Sequence, residues 1–190
     1  MEKLLNQIKK FVPFNEQEQK DKELFIKWLT SGIEVFERTN EVAHFTSTAW
    51  IVNKTRTKVL MAYHNLYQTF AWLGGHADGE KNMLKVAIKE MQEESGIKNY
   101  KILSEDIFTI ETLCVRGHEK LGKYVPTHLH LNTTYLFEVD EEEPVRIKED
   151  ENSAIKWIDV DKIKEVCKKE SWVVERIYSK ICEKIKKENI

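Results

Sequence analysis

The chain has three cysteines, Cys114, Cys167 and Cys182, an odd number with no Cys-x-x-Cys pair. That spacing argues against a disulfide framework and a zinc knuckle, and a reducing cytoplasm suits it. No apolar run approaches the roughly 20 residues that span a bilayer, and the first residues lack the charged-then-apolar order of a secretory leader. Neither charge is in large excess. Thirty Lys and Arg against 32 Asp and Glu give a net charge of -2, which leaves no basic surplus to hold a nucleic-acid backbone. Internal repeats and low-complexity segments are absent as well. What remains is 190 residues, 41% hydrophobic and 33% charged, enough for one ordinary domain with some appended helix.

Helical spacing of Leu4, Leu5, Ile8 and Phe11 predicts a short helix from Glu2 to about Val12, stopped by Pro13. A second helix is expected from about Asn15 to Thr30, packed through Leu24, Phe25, Trp28 and Leu29. Between His44 and Val52 the residues turn β-branched and aromatic, predicting a strand, and Val59–Tyr63 predicts its hairpin partner across the polar turn Asn53–Thr57. Trp72–His76 should end a strand in a glycine pair. The clearest helix is Met83–Ser95, closed by Gly96 where a left-handed cap is needed. Further strands are expected at 106–113, 129–139 and 154–158, followed by two helices. The last helix, about Trp172–Lys187, carries an apolar stripe of Val174, Ile177, Tyr178, Ile181 and Ile185 that packs on the domain or on a partner subunit.

At 100° per residue, Glu90, Glu93 and Glu94 share an arc of about 100° on the Met83–Ser95 helix. Leu84, Ala87, Ile88 and Met91 lie beside them, so Glu94 should border the buried stripe. Three carboxylates this close repel one another, and burial adds a desolvation penalty. A hard divalent cation taking oxygen ligands offsets both. Taken alone, Glu-x-x-Glu-Glu is also what a solvated helix face looks like.

The surrounding residues decide between these readings. From Gly75 through Lys81, Lys89-Glu90-Met91-Gln92-Glu93-Glu94 and Gly96-Ile97, the segment resembles the Nudix box, Gly-x5-Glu-x7-Arg-Glu-U-x-Glu-Glu-x-Gly-U, with U aliphatic. Seven of the nine defined positions match. Lys81 and Lys89 stand where the family has a Glu and an Arg that pair across the loop. Here that fork cannot form, which puts loop rigidity in question, and Glu80 is the nearest substitute partner for Lys89. The likeness also extends to Gly74-Gly75-His76-Ala77-Asp78-Gly79, to His128-Leu129-His130 and to Glu151 ahead of Trp157.

The resemblance implies an α/β fold, a Nudix-like α/β/α sandwich with a mixed sheet, made of an N-terminal helical extension (1–38) and a Nudix hydrolase domain (39–190). It implies a Mg2+-dependent hydrolase, with Mn2+ possible, that cleaves a small-molecule diphosphate, by default a nucleoside diphosphate linked to another group. The metal ligands would be Glu90, Glu93, Glu94 and the Gly75 carbonyl. The base would be Glu90, Glu93 or Glu151, the last equally readable as an exposed loop acid. His76, His128, His130 and Arg116 would meet the substrate, with His118, Lys120 and Lys123 nearby in a long segment between strands. His128 and His130, two apart on one strand, project to the same side. A homodimer is compatible with all of this. Two alternatives stay open: a non-catalytic Nudix-like nucleotide-binding module, and an enzyme like isopentenyl-diphosphate isomerase. The isomerase needs an active-site cysteine, whereas Cys114 sits in an apolar run that reads as core.

Overall fold

The computed structural model describes residues 1–120 and 122–190, with Lys120 described by its backbone alone. In chain order the elements are α1 (Glu2–Lys10), α2 (Glu16–Leu29), β1 (Ala43–Val52), β2 (Lys58–His64), β3 (Thr69–Ala71), β4 (Leu73–His76), α3 (Met83–Ser95), β5 (Lys101–Ile102), β6 (Thr109–Val115), β7 (His118–Lys120), β8 (Lys123–Val125), β9 (His128–Glu138) and β10 (Asn152–Asp159). Short turns and a closing helix, Ser179–Glu188, follow. The chain divides into two compact units, 1–48 with 74–87 and 105–135, and 49–73 with 88–104 and 136–190.

In the first unit α1 and α2 pack through Leu4, Ile8, Phe25 and Leu29. Helix α2 starts where it does because the Asn15 side chain accepts the Glu18 N–H at 2.9 Å. The Glu18 carboxylate in turn accepts the Phe14 N–H at 2.7 Å, giving a reciprocal cap. Phe25 meets Phe45 of β1 edge-on at 5.4 Å, which seats the helical pair against the start of that strand. Strands β6 and β9 are antiparallel, registered from Thr109 against Thr134 to Val115 against His128. Leu129 N–H donates to the Val42 carbonyl, and the Ser47 hydroxyl lies 3.1 Å from the Thr133 carbonyl, so β1 and β9 run parallel. Strand β4 lies beside β1, close enough that a Cβ on Gly74 would stand 2.6 Å from the Ser47 carbonyl oxygen. Only glycine fits there.

In the second unit β2 pairs antiparallel with β1, β3 and β10. The turn joining β1 and β2 is built by Asn53, whose side-chain oxygen accepts the N–H groups of Thr57 and Lys58 at 2.9 and 3.1 Å. Parallel and antiparallel pairs together make the sheet mixed and the class α/β, as the sequence leads one to expect. Three details differ. Residues 114–127 are no plain loop, since β7 and β8 form a hairpin with Glu119 opposite Tyr124. The closing helix is not uniform, because Val174–Tyr178 forms a π-helical turn and the Ser179 hydroxyl donates to the Val174 carbonyl five residues back. The short strands β3 and β5 also lie outside the sequence pattern.

Candidate active site

Helix α3 spans the residues its periodicity predicts. Asn82 receives the Lys85 N–H at its start, and Gly96, at φ +71°, releases the chain at its end. Met83, Val86, Ala87 and Met91 are buried, while Leu84 and Ile88 are only half-buried. The buried face is therefore turned toward the glutamates. Glu90 and Glu94 lie within it, 8% and 7% exposed, and Glu94 does not merely border it. Glu93 stands at the rim, its side chain 45% exposed.

Lys89, at the box's arginine position, lies 3.3 Å from Glu90 and 3.8 Å from Glu93. It bridges the two acids. Burial pushes the Glu90 carboxyl above the ordinary glutamate range, against the opposing pull of the Lys89 ammonium. Glu151 is partly exposed and pairs with Lys148 at 3.0 Å, and the Lys148 charge also bears on Glu90. Among the described residues the grouping of side chains that could hold a metal ion is one of histidines and does not include Glu90, Glu93 or Glu94.

The loop between β4 and α3 is braced without the family's Glu–Arg pair. Arg38 grips Asp78 with two bonds of 2.6 and 2.5 Å, and Gly79 N–H donates to the Phe36 carbonyl. Lys81 lies 6.0 Å from the centre of the Phe36 ring, and the Glu80 carboxylate accepts the Asn82 N–H at 2.8 Å. Asp78 and Gly79 both adopt positive φ, so the turn is tightly specified. Arg38 lies outside the box, and its role is invisible in the motif.

The first unit also brings four histidines together. His128 and His130 approach to 3.1 Å between their Nε2 atoms. His76 stacks edge-on to His130 at 4.8 Å, and His44 lies 5.2, 4.9 and 5.0 Å from the rings of His76, His128 and His130. Desolvation pushes His130 down to about 2 and lowers His44 as well. His44 had no role in the sequence reading, which saw only a strand opening there. Arg116 is exposed in the link between β6 and β7, where its carbonyl lies 3.0 Å from the His118 ring, and the Lys120 side chain lies outside the described residues. Cys114 is exposed and not a core thiol: it shares a side of β6 with the buried Ile110 but lies near the strand's end, at Val115. A cavity of about 330 Å³ in the second unit, lined by Trp50, Arg56, Cys182 and Ile185, contains none of these candidate groups.

The profile of the NUDIX domain matches residues 43–179. No curated protein sequence matches the chain. Among solved structures it resembles an Ap4A hydrolase from C. elegans, captured as a binary complex, at 19% identity and a TM-score of 0.54, over 76% of this chain and 96% of that one. It also resembles a NUDIX-family hydrolase from Clostridium perfringens, at 19% identity and a TM-score of 0.53, over 73% of this chain and 95% of that one. Identities this low show a shared fold. The domain match spans most of the chain and includes the glycine turn and the acidic helix, and on that ground the protein belongs to the Nudix family.

Proposed function

We propose that the protein hydrolyses a small-molecule diphosphate in the presence of Mg2+, with Mn2+ as a substitute, the default substrate being a nucleoside diphosphate linked to another group. The observation that carries this reading is the burial of Glu90 and Glu94 on one face of α3, beside Glu93, at the box positions. Burial raises the proton affinity of Glu90, a positive charge offsets the cost of burying a carboxylate, and an all-oxygen donor set suits a hard cation. Glu90, Glu93, Glu94 and the Gly75 carbonyl would hold it. A divalent ion bound there neutralises phosphate charge and acidifies water.

The side chains supply the remaining chemistry. Glu90, Glu93 and Glu151 are the candidates to accept the attacking water's proton. Lys89 holds Glu90 and Glu93 in register, and Lys148 does the same for Glu151. His76, His128, His130 and Arg116 are assigned to the substrate's side. Residues 1–38 serve as a helical extension to a catalytic domain of 39–190, and Arg38 of that extension fixes the loop through Asp78.

The test is a panel of nucleotide-linked diphosphates assayed with and without Mg2+. Cleavage between the two phosphorus atoms that requires the metal is expected. Tight nucleotide binding with no metal-dependent cleavage would instead establish a binding module. The exposure of Cys114 favours one second reading, an isomerase of an isoprenoid diphosphate, and product analysis with such a substrate separates rearrangement from hydrolysis.

A further inference from the structure

We propose that His44, His76 and His130 form a second metal site, one for a borderline transition ion such as Zn2+, built from nitrogen and separate in its chemistry from the carboxylate ligands of α3. Each of the three offers one ligand atom, and these atoms lie within 4.8 Å of one another. Nitrogens sharing a tetrahedral ion at about 2.1 Å are roughly 3.4 Å apart. Small rotations of the rings close that gap.

The hydrogen bonds of the cluster favour a cation over an anion. His44 Nδ1 lies 2.9 Å from the Asn40 carbonyl, which can only accept, so Nδ1 carries the proton and Nε2 carries the lone pair. That Nε2 is buried and has no hydrogen-bond partner. A ligating histidine typically gives its other N–H to a backbone carbonyl in this manner, which fixes both tautomer and ring angle.

His128 repeats the pattern, with Nδ1 2.8 Å from the Pro126 carbonyl. Its Nε2 is then the acceptor for His130, 3.1 Å away. At His44 the N–H is thus engaged and a buried lone pair is left on Nε2, within the cluster formed with His76 and His130. Lone pairs attract cations and repel phosphate oxygens, and imidazole favours Zn2+, Ni2+ or Cu2+ over Mg2+. The proposal goes beyond the hydrolase reading: these histidines would reach a substrate phosphate through the ion, not directly.

The test is calorimetric titration of the EDTA-treated full chain with Zn2+. With excess Mg2+ present to occupy the carboxylates, one Zn2+ per chain is expected. His44→Ala and His130→Ala should each weaken uptake by at least about a hundredfold, the upper end of what loss of an outer-shell partner costs. The double variant Glu93→Gln/Glu94→Gln should bind Zn2+ as the parent does. No uptake by the parent, or uptake that survives both histidine changes, overturns the proposal. Should the histidine variants fail to fold, ring-nitrogen NMR of the parent decides: Zn2+ must shift His44, His76 and His130, and an unchanged spectrum overturns it.

Discussion

The acidic face of α3 and the histidine cluster of the first unit are the two sites proposed for metal ions, and the fold builds them in opposite ways. On α3, Glu90 and Glu94 are buried acids and Lys89 reaches Glu90 and Glu93, so like charge and burial put the acids under tension that positive charge relieves. Among the histidines the donors are ring nitrogens, in rings packed 4.8 to 5.2 Å apart and, at His44 and His128, anchored through backbone carbonyls. The difference teaches that burial creates a need for a cation when the donors are anionic, and selects the kind of cation when they are neutral.

The most consequential way to break the comparison is Glu94→Gln. Turnover should fall by at least about a hundredfold while Zn2+ uptake is unchanged, and simultaneous loss of both would make the two clusters one centre. Next comes Gly74→Ala, which drives a Cβ to 2.6 Å from the Ser47 carbonyl and 2.8 Å from Thr48 Cα. Backbone cannot yield cheaply, so denaturant unfolding should show a loss of about 3 kcal/mol.

A smaller effect sharpens the account of tension on α3. The folded state raises the Glu90 pKa, so in metal-free protein it holds that proton more tightly than the unfolded chain does. The corresponding stability is present below the unfolded glutamate pKa and is lost as pH rises through the folded one. Glu90→Gln should flatten that decline in a thermal melt series in EDTA. An unchanged slope would show that Glu90 is not under tension. The smallest effect is that of Lys89→Ala, whose side chain is 55% exposed: stability should move by less than about 1 kcal/mol.

Much of this was legible in the sequence because the signals are local. The 3.6-residue period and Gly96 fix both ends of α3, and the box fixes the glutamates and the glycine turn. The β7–β8 hairpin was not legible, since His118-Glu119-Lys120 and Lys123-Tyr124-Val125 lack the alternating apolar pattern that marks a half-buried strand. His44 was hidden for a different reason. It lies far in sequence from His76 and His130, and only the pairing of β4 and β9 with β1 collects the three rings. Arg38 was missed in the same way, because its partner Asp78 is 40 residues away. The exposure of Cys114 was not legible because an apolar neighbourhood in sequence does not show how far along a strand the covering extends.

The most direct test of the central claim is a Mg2+ titration of diphosphate hydrolysis, run on the parent chain and on Glu93→Gln/Glu94→Gln. The account predicts saturable, Mg2+-dependent cleavage by the parent and none above background by the double variant, with its thermal transition nearly unchanged. Metal-dependent cleavage that persists in the double variant would contradict it.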